Sequence, residues 1–376
     1  MFMKKLGFGL MRLPRMNPQD PASIDYDKLY PMVDLFLERG FTYFDTAWMY
    51  QAFESERSVK KALVERHPRD SFTITTKLHS SYFDSFEDRD KIFYGQLEKT
   101  GVEYFDYYLL HGIEDPTYPK FEKCDCFNWM LEKKGQGLVK HVGFSFHGSP
   151  EMLDAILTKY PQMEYVQLQI NYLDWESPWI KSRECYEVCV KHNKKIIVME
   201  PVKGGTLAKI PGAAEKLFKE ADPNKSIPSW AIRFAASLPN VALVLSGMST
   251  LEQVDDNTSI MDPFVPFTED ENKLCFKAAD IINNQIAIPC TGCSYCTDGC
   301  PMQIAIPQYF SLYNEHAHDD MDEKGWTVAF NYYSTIAIDH GRASDCIECG
   351  QCESICPQHL PIITYLKKVA DALEEE

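Results

Sequence analysis

Eight of the thirteen cysteines in this 376-residue chain fall in two copies of one spacing. The first copy is Cys290, Cys293, Cys296 and Cys300, followed by Pro301; the second is Cys346, Cys349, Cys352 and Cys356, followed by Pro357. Three thiols within seven residues suit three corners of an iron–sulfur cube, whose irons are held by thiolates. Zinc takes four ligands around one ion, usually from separated pairs. Disulfides need an oxidising compartment, and residues 1–14 lack the long apolar stretch of a secretory leader. The spacing therefore predicts two 4Fe–4S clusters. Cys124, Cys126, Cys185, Cys189 and Cys275 stand outside the pattern and read as small buried apolar side chains.

The rest of the chain shows the elements that must carry other chemistry. Short apolar runs recur at Lys5–Leu13, Thr42–Thr46, Phe72–Lys77, Tyr104–His111, His141–Phe146, Tyr165–Ile170, Lys195–Glu200 and Val241–Ser246. Amphipathic stretches lie between them, among them Tyr26–Arg39, Glu56–Arg66, Asp88–Thr100, Cys124–Lys134 and Glu151–Lys159. Near-continuous apolar strands alternating with helices predict a parallel sheet. Eight such units in about 250 residues predict a (β/α)8 TIM barrel. A doubly wound sheet would favour a glycine-rich fingerprint after the first strand, and Gly7-Phe8-Gly9-Leu10-Met11-Arg12 lacks the third glycine. The reading is α/β, with a barrel over residues 1–265. A linker helix and a small, mainly helical iron–sulfur domain follow over 266–376, with helices expected at Glu269–Asn284, Pro307–His318, Lys324–Asp339 and Pro361–Leu373.

Barrel enzymes build their sites at the C-terminal ends of the strands. Strand two ends in Asp45-Thr46-Ala47-Trp48-Met49-Tyr50, strand three in Lys77, and strand four in His111. On these residues, positions 3–262 resemble the aldo-keto reductases, and the resemblance implies a catalytic tetrad of Asp45, Tyr50, Lys77 and His111. Reducing a carbonyl leaves an alkoxide that needs a proton. Tyr50 would donate it, yet a phenol ordinarily titrates at about 10; the Lys77 ammonium is expected to lower that value. Asp45 would hold Lys77, and His111 would orient the carbonyl oxygen. His79 and His147 lie just beyond strands three and five.

The same resemblance implies a nicotinamide dinucleotide, NADPH or NADH. Ser145 and Gln167 would hold the amide. Pro201, Val202, Lys203 and Gly204 match the pyrophosphate loop, and Gly247, Ser249, Gln253, Asp256 and Asn257 the adenosine side. Phe146 follows the strand-five serine where many members carry Asn or Arg, and Met199 stands where an aromatic ring usually stacks. There is no Lys or Arg between Met248 and Gln253 to meet a 2′-phosphate; Lys203 or Lys209 would substitute. A flavin is the group that can convert hydride into single electrons, although no motif here requires one.

The cysteine repeat resembles bacterial two-cluster ferredoxins, in which each cube takes three cysteines from one run and the fourth from the other. That implies Cys290, Cys293, Cys296 and Cys356 for one cluster, and Cys346, Cys349, Cys352 and Cys300 for the other. The whole chain thus resembles the aldo-keto reductase branch with a C-terminal ferredoxin-type domain. The implied function is reduction of a carbonyl or activated alkene, with the clusters linking the site to a ferredoxin or other redox protein. Two alternatives stand beside it: an electron-transfer subunit whose barrel only docks, and a reductase whose clusters are structural or sense oxygen. A net charge of −17 argues against nucleic-acid or anionic-membrane partners. No run reaches the roughly 20 apolar residues of a membrane span, which with the clusters suggests the cytoplasm of an anaerobic or oxygen-sensitive microbe. The terminal Glu374-Glu375-Glu376 reads as a solvated end.

Overall fold

The computed structural model describes residues 4–177, 180–284, 286–316 and 328–374. Eight parallel strands close into a barrel in chain order: β1 (Leu6–Gly9), β2 (Tyr43–Asp45), β3 (Thr73–His79), β4 (Phe105–Ile113), β5 (Val139–Phe146), β6 (Tyr165–Gln169), β7 (Lys195–Met199) and β8 (Val241–Gly247). Closure is made by β1 against β8, with Gly9 opposite Gly247. Tyr43, Leu109, Tyr165, Ile197, Leu243 and Leu245 fill part of the interior, as packed barrels require.

The outer helices form because one stripe of each is apolar. In the Tyr26–Glu38 helix, Leu29, Met32, Val33 and Phe36 are buried, and Asp25 caps the N-terminus by accepting from the Lys28 N–H. Phe36 then packs on Phe8 and Phe44 of the first two strands. Ser85, Ser149 and Thr250 cap other helices in the same way, each satisfying an orphan N–H.

Three elements differ from expectation at their edges. β1 stops at Gly9 and the chain turns through a 3-10 segment, Leu10–Arg12. The segment from Glu56 is α-helical only over Ser55–Val59 and widens to a π-helix over Lys60–Val64. The Cys124 helix starts at Cys126, because Asp125 is left-handed (φ 47°) and separates it from Tyr118–Lys123.

Internal contacts divide the chain into two units: residues 1–176, 181–201 and 228–272, and residues 177–180, 202–227 and 273–376. The second unit has its own core, built by the helices Ile306–His316, Val328–Ile336 and Ile362–Leu373, with Tyr309, Phe310, Leu366 and Val369 fully enclosed. His318 and residues 324–327 of the expected helices lie outside the described residues. Glu374 is not a solvated end: Tyr333 and Ser344 both donate to its carboxylate. Among the described residues, no helix is long and apolar enough to cross a membrane.

Candidate active site and cysteine cavities

Asp45, Lys77 and His111 stand on three adjacent strands, each two positions beyond the register partner of the one before: Asp45 pairs with Thr75, and Lys77 with Leu109. The Lys77 ammonium, fully buried, spends its three donors on the Asp45 carboxylate (2.5 Å), the Thr46 carbonyl (2.8 Å) and the Tyr50 hydroxyl oxygen (3.3 Å). Because Tyr50 accepts from Lys77, its own O–H stays available to another acceptor. The His111 ring lies edge-on to Tyr50, with centroids 5.7 Å apart. Tyr50 is presented by a strained turn: Gln51, Ala52 and Phe53 all have positive φ (53°, 48° and 72°). Such conformations cost about 1–2 kcal/mol per residue and cluster at functional sites. The turn is tied down by Gln51 Nε2, which donates to the Met11 carbonyl at 2.9 Å.

Electrostatics departs from expectation at Tyr50. Burial, then the nearby Asp45 and Glu200 carboxylates, hold the phenol well above its ordinary value. One ammonium already paired with Asp45 does not outweigh them, so the phenol is protonated. Burial likewise pushes Asp45 up and Lys77 down, while their pairing opposes both shifts. His111 is driven well below its ordinary value by burial and then by Lys77, so it is neutral. Its Nδ1 is buried with no hydrogen-bond partner. His79 packs edge-on against His111 at 5.3 Å, and burial lowers it to about 4. Behind Lys77 lies an enclosed carboxylate, Glu56, which accepts from Thr76 (2.7 Å) and Gln96 (2.8 Å).

The residues expected to hold a dinucleotide fall in both units. In the first unit, Ser145 and Gln167 sit opposite each other across β5 and β6. Ser145 Oγ accepts from the Gly112 N–H at 2.7 Å, and Gln167 adjoins the Asp45 carboxylate. Asn257 is turned inward, donating to Ser246 Oγ (3.0 Å). The Ser249 N–H is received by Gln253 Oε1 (2.7 Å), and Ser249 Oγ donates to the Arg12 carbonyl (2.6 Å). Asp256 is half-buried on the same helix. Pro201 closes a first-unit segment, whereas Val202, Lys203 and Gly204 belong to the second unit. There Lys203, 2% exposed, donates to Gln358 Oε1 at 2.9 Å.

Sequence reasoning missed Arg12. Its Nη2 is buried with no hydrogen-bond partner, and its side chain reaches within 3.4 Å of where a methyl on Gly247 would lie. It supplies a cation at the β8 end, where residues 248–253 offer none. Only barrel closure brings positions 12 and 247 together, so no local signal could have revealed it.

In the second unit, the eight repeat cysteines line two cavities. One, of about 310 Å³, is lined by Cys290, Cys293, Cys296 and Cys356, with Thr291 and Gln358. The other, of about 330 Å³, is lined by Cys300, Cys346, Cys349 and Cys352. The two copies share their backbone: Gly292 and Glu348, Ser294 and Gly350, and Gln303 and His359 are all left-handed. These turns wrap each run around its cavity. Asn314 steadies the approach to Cys290, with its side chain bonded to both the N–H and the carbonyl of Ile288 at 2.8 Å. Burial pushes the Cys290 and Cys352 thiols up to about 11 and also raises Cys296 and Cys356. Cys349 and its neighbour Ile347 are exposed, whereas no cysteine of the first cavity is. Cys124, Cys126, Cys185, Cys189 and Cys275 are buried elsewhere, with Cys126 Sγ donating to the Cys124 carbonyl.

Residues 5–280 match the aldo/keto reductase family, and residues 289–360 match the 4Fe–4S dicluster domain. The chain belongs to the aldo/keto reductase family; it is an oxidoreductase with a C-terminal 4Fe–4S dicluster domain. An aldo-keto reductase of Mycolicibacterium vanbaalenii is 26% identical over 229 residues, 60% of this chain and 75% of the relative. An uncharacterized oxidoreductase of Bacillus subtilis is 23% identical over 263 residues, 61% of this chain and 81% of its own. The holo form of an aldo-keto reductase from Bacillus halodurans is similar with a TM-score of 0.59 at 25% identity, covering 73% of this chain and 91% of that one. An aldo/keto reductase from Klebsiella pneumoniae in complex with NADP and acetate shares the fold, with a TM-score of 0.58 at 16% identity over 74% and 92% of the two chains.

Proposed function

We propose that this protein reduces a small carbonyl compound or activated alkene at the Asp45–Tyr50–Lys77–His111 site, and exchanges electrons with a one-electron carrier through two 4Fe–4S clusters. The observation that carries the reading is the Lys77 ammonium bonded at once to Asp45, Thr46 and the Tyr50 oxygen. The phenol keeps its proton and points a donor at the substrate oxygen. As Tyr50 gives up that proton, the adjacent ammonium stabilises the phenolate, and Asp45 keeps the ammonium in place. Neutral His111 orients the same oxygen.

The nicotinamide end would be held by Ser145 and Gln167, and the adenosine end by Gly247, Ser249, Gln253, Asp256 and Asn257. Arg12 fits a phosphate there, because its buried Nη2 lacks a partner. Binding of NADP by the Klebsiella enzyme supports the assignment. One cluster would use Cys290, Cys293, Cys296 and Cys356, the other Cys300, Cys346, Cys349 and Cys352. One observation supports this: the four thiols of each set line one cavity. When bound, nicotinamide supplies a hydride and the clusters supply single electrons. Exposed Cys349 favours the second set as the point of contact with the carrier, in a reducing, oxygen-poor compartment.

The test is anaerobic turnover of aldehydes, ketones and enones with NADPH or NADH by the wild type and Tyr50→Phe. Loss of the proton donor is expected to lower turnover ~10²–10⁴-fold with cluster absorption unchanged. Equal turnover by the variant would remove Tyr50 from the chemistry.

A further inference from the structure

Lys203 lies in the segment that leaves β7, yet it belongs to the second unit and is 2% exposed. Its Nζ donates to Gln358 Oε1 at 2.9 Å, and Gln358, itself buried, lines the same cavity as Cys290, Cys293, Cys296 and Cys356. The chain beside it is packed without slack. Lys203 and Gly204 are both left-handed (φ 47° and 64°), and a methyl on Gly204 would lie 2.3 Å from the Thr291 carbonyl oxygen. Thr291 separates Cys290 from Gly292. The segment is therefore seated against the first cysteine run while its ammonium reaches a residue two positions beyond Cys356. At the second cavity, Lys367 near the repeat pairs instead with Glu348, and both are solvent-exposed.

We propose that Lys203 is a positioning residue that places a fixed positive charge beside the cluster held by Cys290, Cys293, Cys296 and Cys356, and so raises that cluster's reduction potential. The inference rests on the cluster reading above. One-electron reduction of a cube bound by four thiolates adds one negative charge and breaks no bond. In a shielded cavity that charge is poorly solvated, which makes reduction unfavourable; net charge, hydrogen bonding and exposure set such potentials. A buried ammonium opposes the penalty. The cluster ringed by Cys349 meets solvent and needs no such aid. Lys203 thus keeps the shielded cluster within reach of the open one, so that an electron can pass between them.

The experiment is an anaerobic redox titration of the full-length protein with dithionite, followed by electron paramagnetic resonance, for the wild type, Lys203→Gln and Lys203→Arg. Iron and sulfide are measured on each sample. Signals are assigned to the two clusters with Cys349→Ser, which perturbs the second alone. The expected result is that Lys203→Gln lowers the reduced-to-oxidised ratio of the first cluster at least tenfold at fixed potential, a 59 mV shift for one electron. The second cluster stays in place, and Lys203→Arg restores the first. An unmoved first cluster, or an equal shift of both, overturns the inference. Wild-type protein without the iron of two cubes would instead overturn the cluster reading itself. Should Lys203→Gln fail to retain its iron, Gln358→Leu is read in its place: it keeps the ammonium but removes its anchor. A shift of the first cluster alone supports the inference, and an unmoved one overturns it.

Discussion

In the barrel, Asp45, Lys77 and His111 stand at the ends of strands tied into a closed hydrogen-bonded ladder. In the second unit, seven of the eight cysteines stand on turns and loops shaped by left-handed residues, and Cys352 lies in the short Gln351–Ser354 helix; none is in a strand. The barrel sets its geometry through the backbone and lets one side chain, Lys77, collect the others. The cysteine unit relies on turn chemistry and on a separate helical core to hold the loops. Ladder positions tolerate almost no change in charge, because the groups they bury depend on each other. Loop positions tolerate a change in charge better than a change in backbone conformation.

The largest expected effect follows from that interdependence. Lys77→Met leaves the Asp45 carboxylate buried without its ammonium. Breaking a buried pair typically costs about 3–5 kcal/mol, so urea unfolding should show the barrel weakened by that order. A loss below about 1 kcal/mol would mean that Asp45 simply takes up a proton and the pair contributes little.

The next effect is a pH dependence at His79. Its value in the folded protein, about 4, lies below the ordinary 6.5, so the unfolded chain binds the proton first. Stability from keeping His79 neutral is present above about pH 6.5 and is lost as pH falls toward 4. The loss should be on the order of 2–3 kcal/mol. Melting temperatures of His79→Gln should fall less over that window than those of the wild type; parallel curves would show that His79 titrates normally.

Gly204→Ala tests the loop side. It sets a methyl against the Thr291 carbonyl at a positive φ, which should cost more than about 1 kcal/mol. The loss should appear in the second unit, read as faster cluster bleaching in urea, with barrel unfolding unchanged. The smallest effect is a gain. Ser294 adopts a left-handed conformation that the second copy gives to Gly350. Ser294→Gly should therefore stabilise the second unit by up to about 1 kcal/mol. A loss would show that the Ser294 side chain does something its backbone conformation does not reveal.

Most of the architecture was legible along the chain, because apolar period and turn residues are local properties. Seven of the eight strands were placed with ends within two residues of those observed, and β1 overran only where Leu10–Arg12 turns tightly. Asp45, Tyr50, Lys77 and His111 could be proposed from the resemblance to the aldo-keto reductases; Asp45, Lys77 and His111 lie on successive strands and Tyr50 on the turn after β2. The direction of the Tyr50 shift was not legible, since it depends on how deeply the phenol is enclosed and on Glu200, 150 positions away. Arg12 was hidden because it meets Gly247 only across the seam where the first and last strands join.

Residue type and spacing alone determined the class of chemistry: a repeat of thiols suited to iron–sulfur cubes, and polar groups at the ends of alternating strands. Those signals are short-ranged, so folding does not alter them. Only the tertiary structure decided which partner each long side chain takes. Lys203 stands in a segment that resembles the family's pyrophosphate loop, yet its ammonium is buried against Gln358 beside the first cysteine set. A flexible four-carbon stem can reach several acceptors, and the one it takes depends on which groups the fold removes from water together.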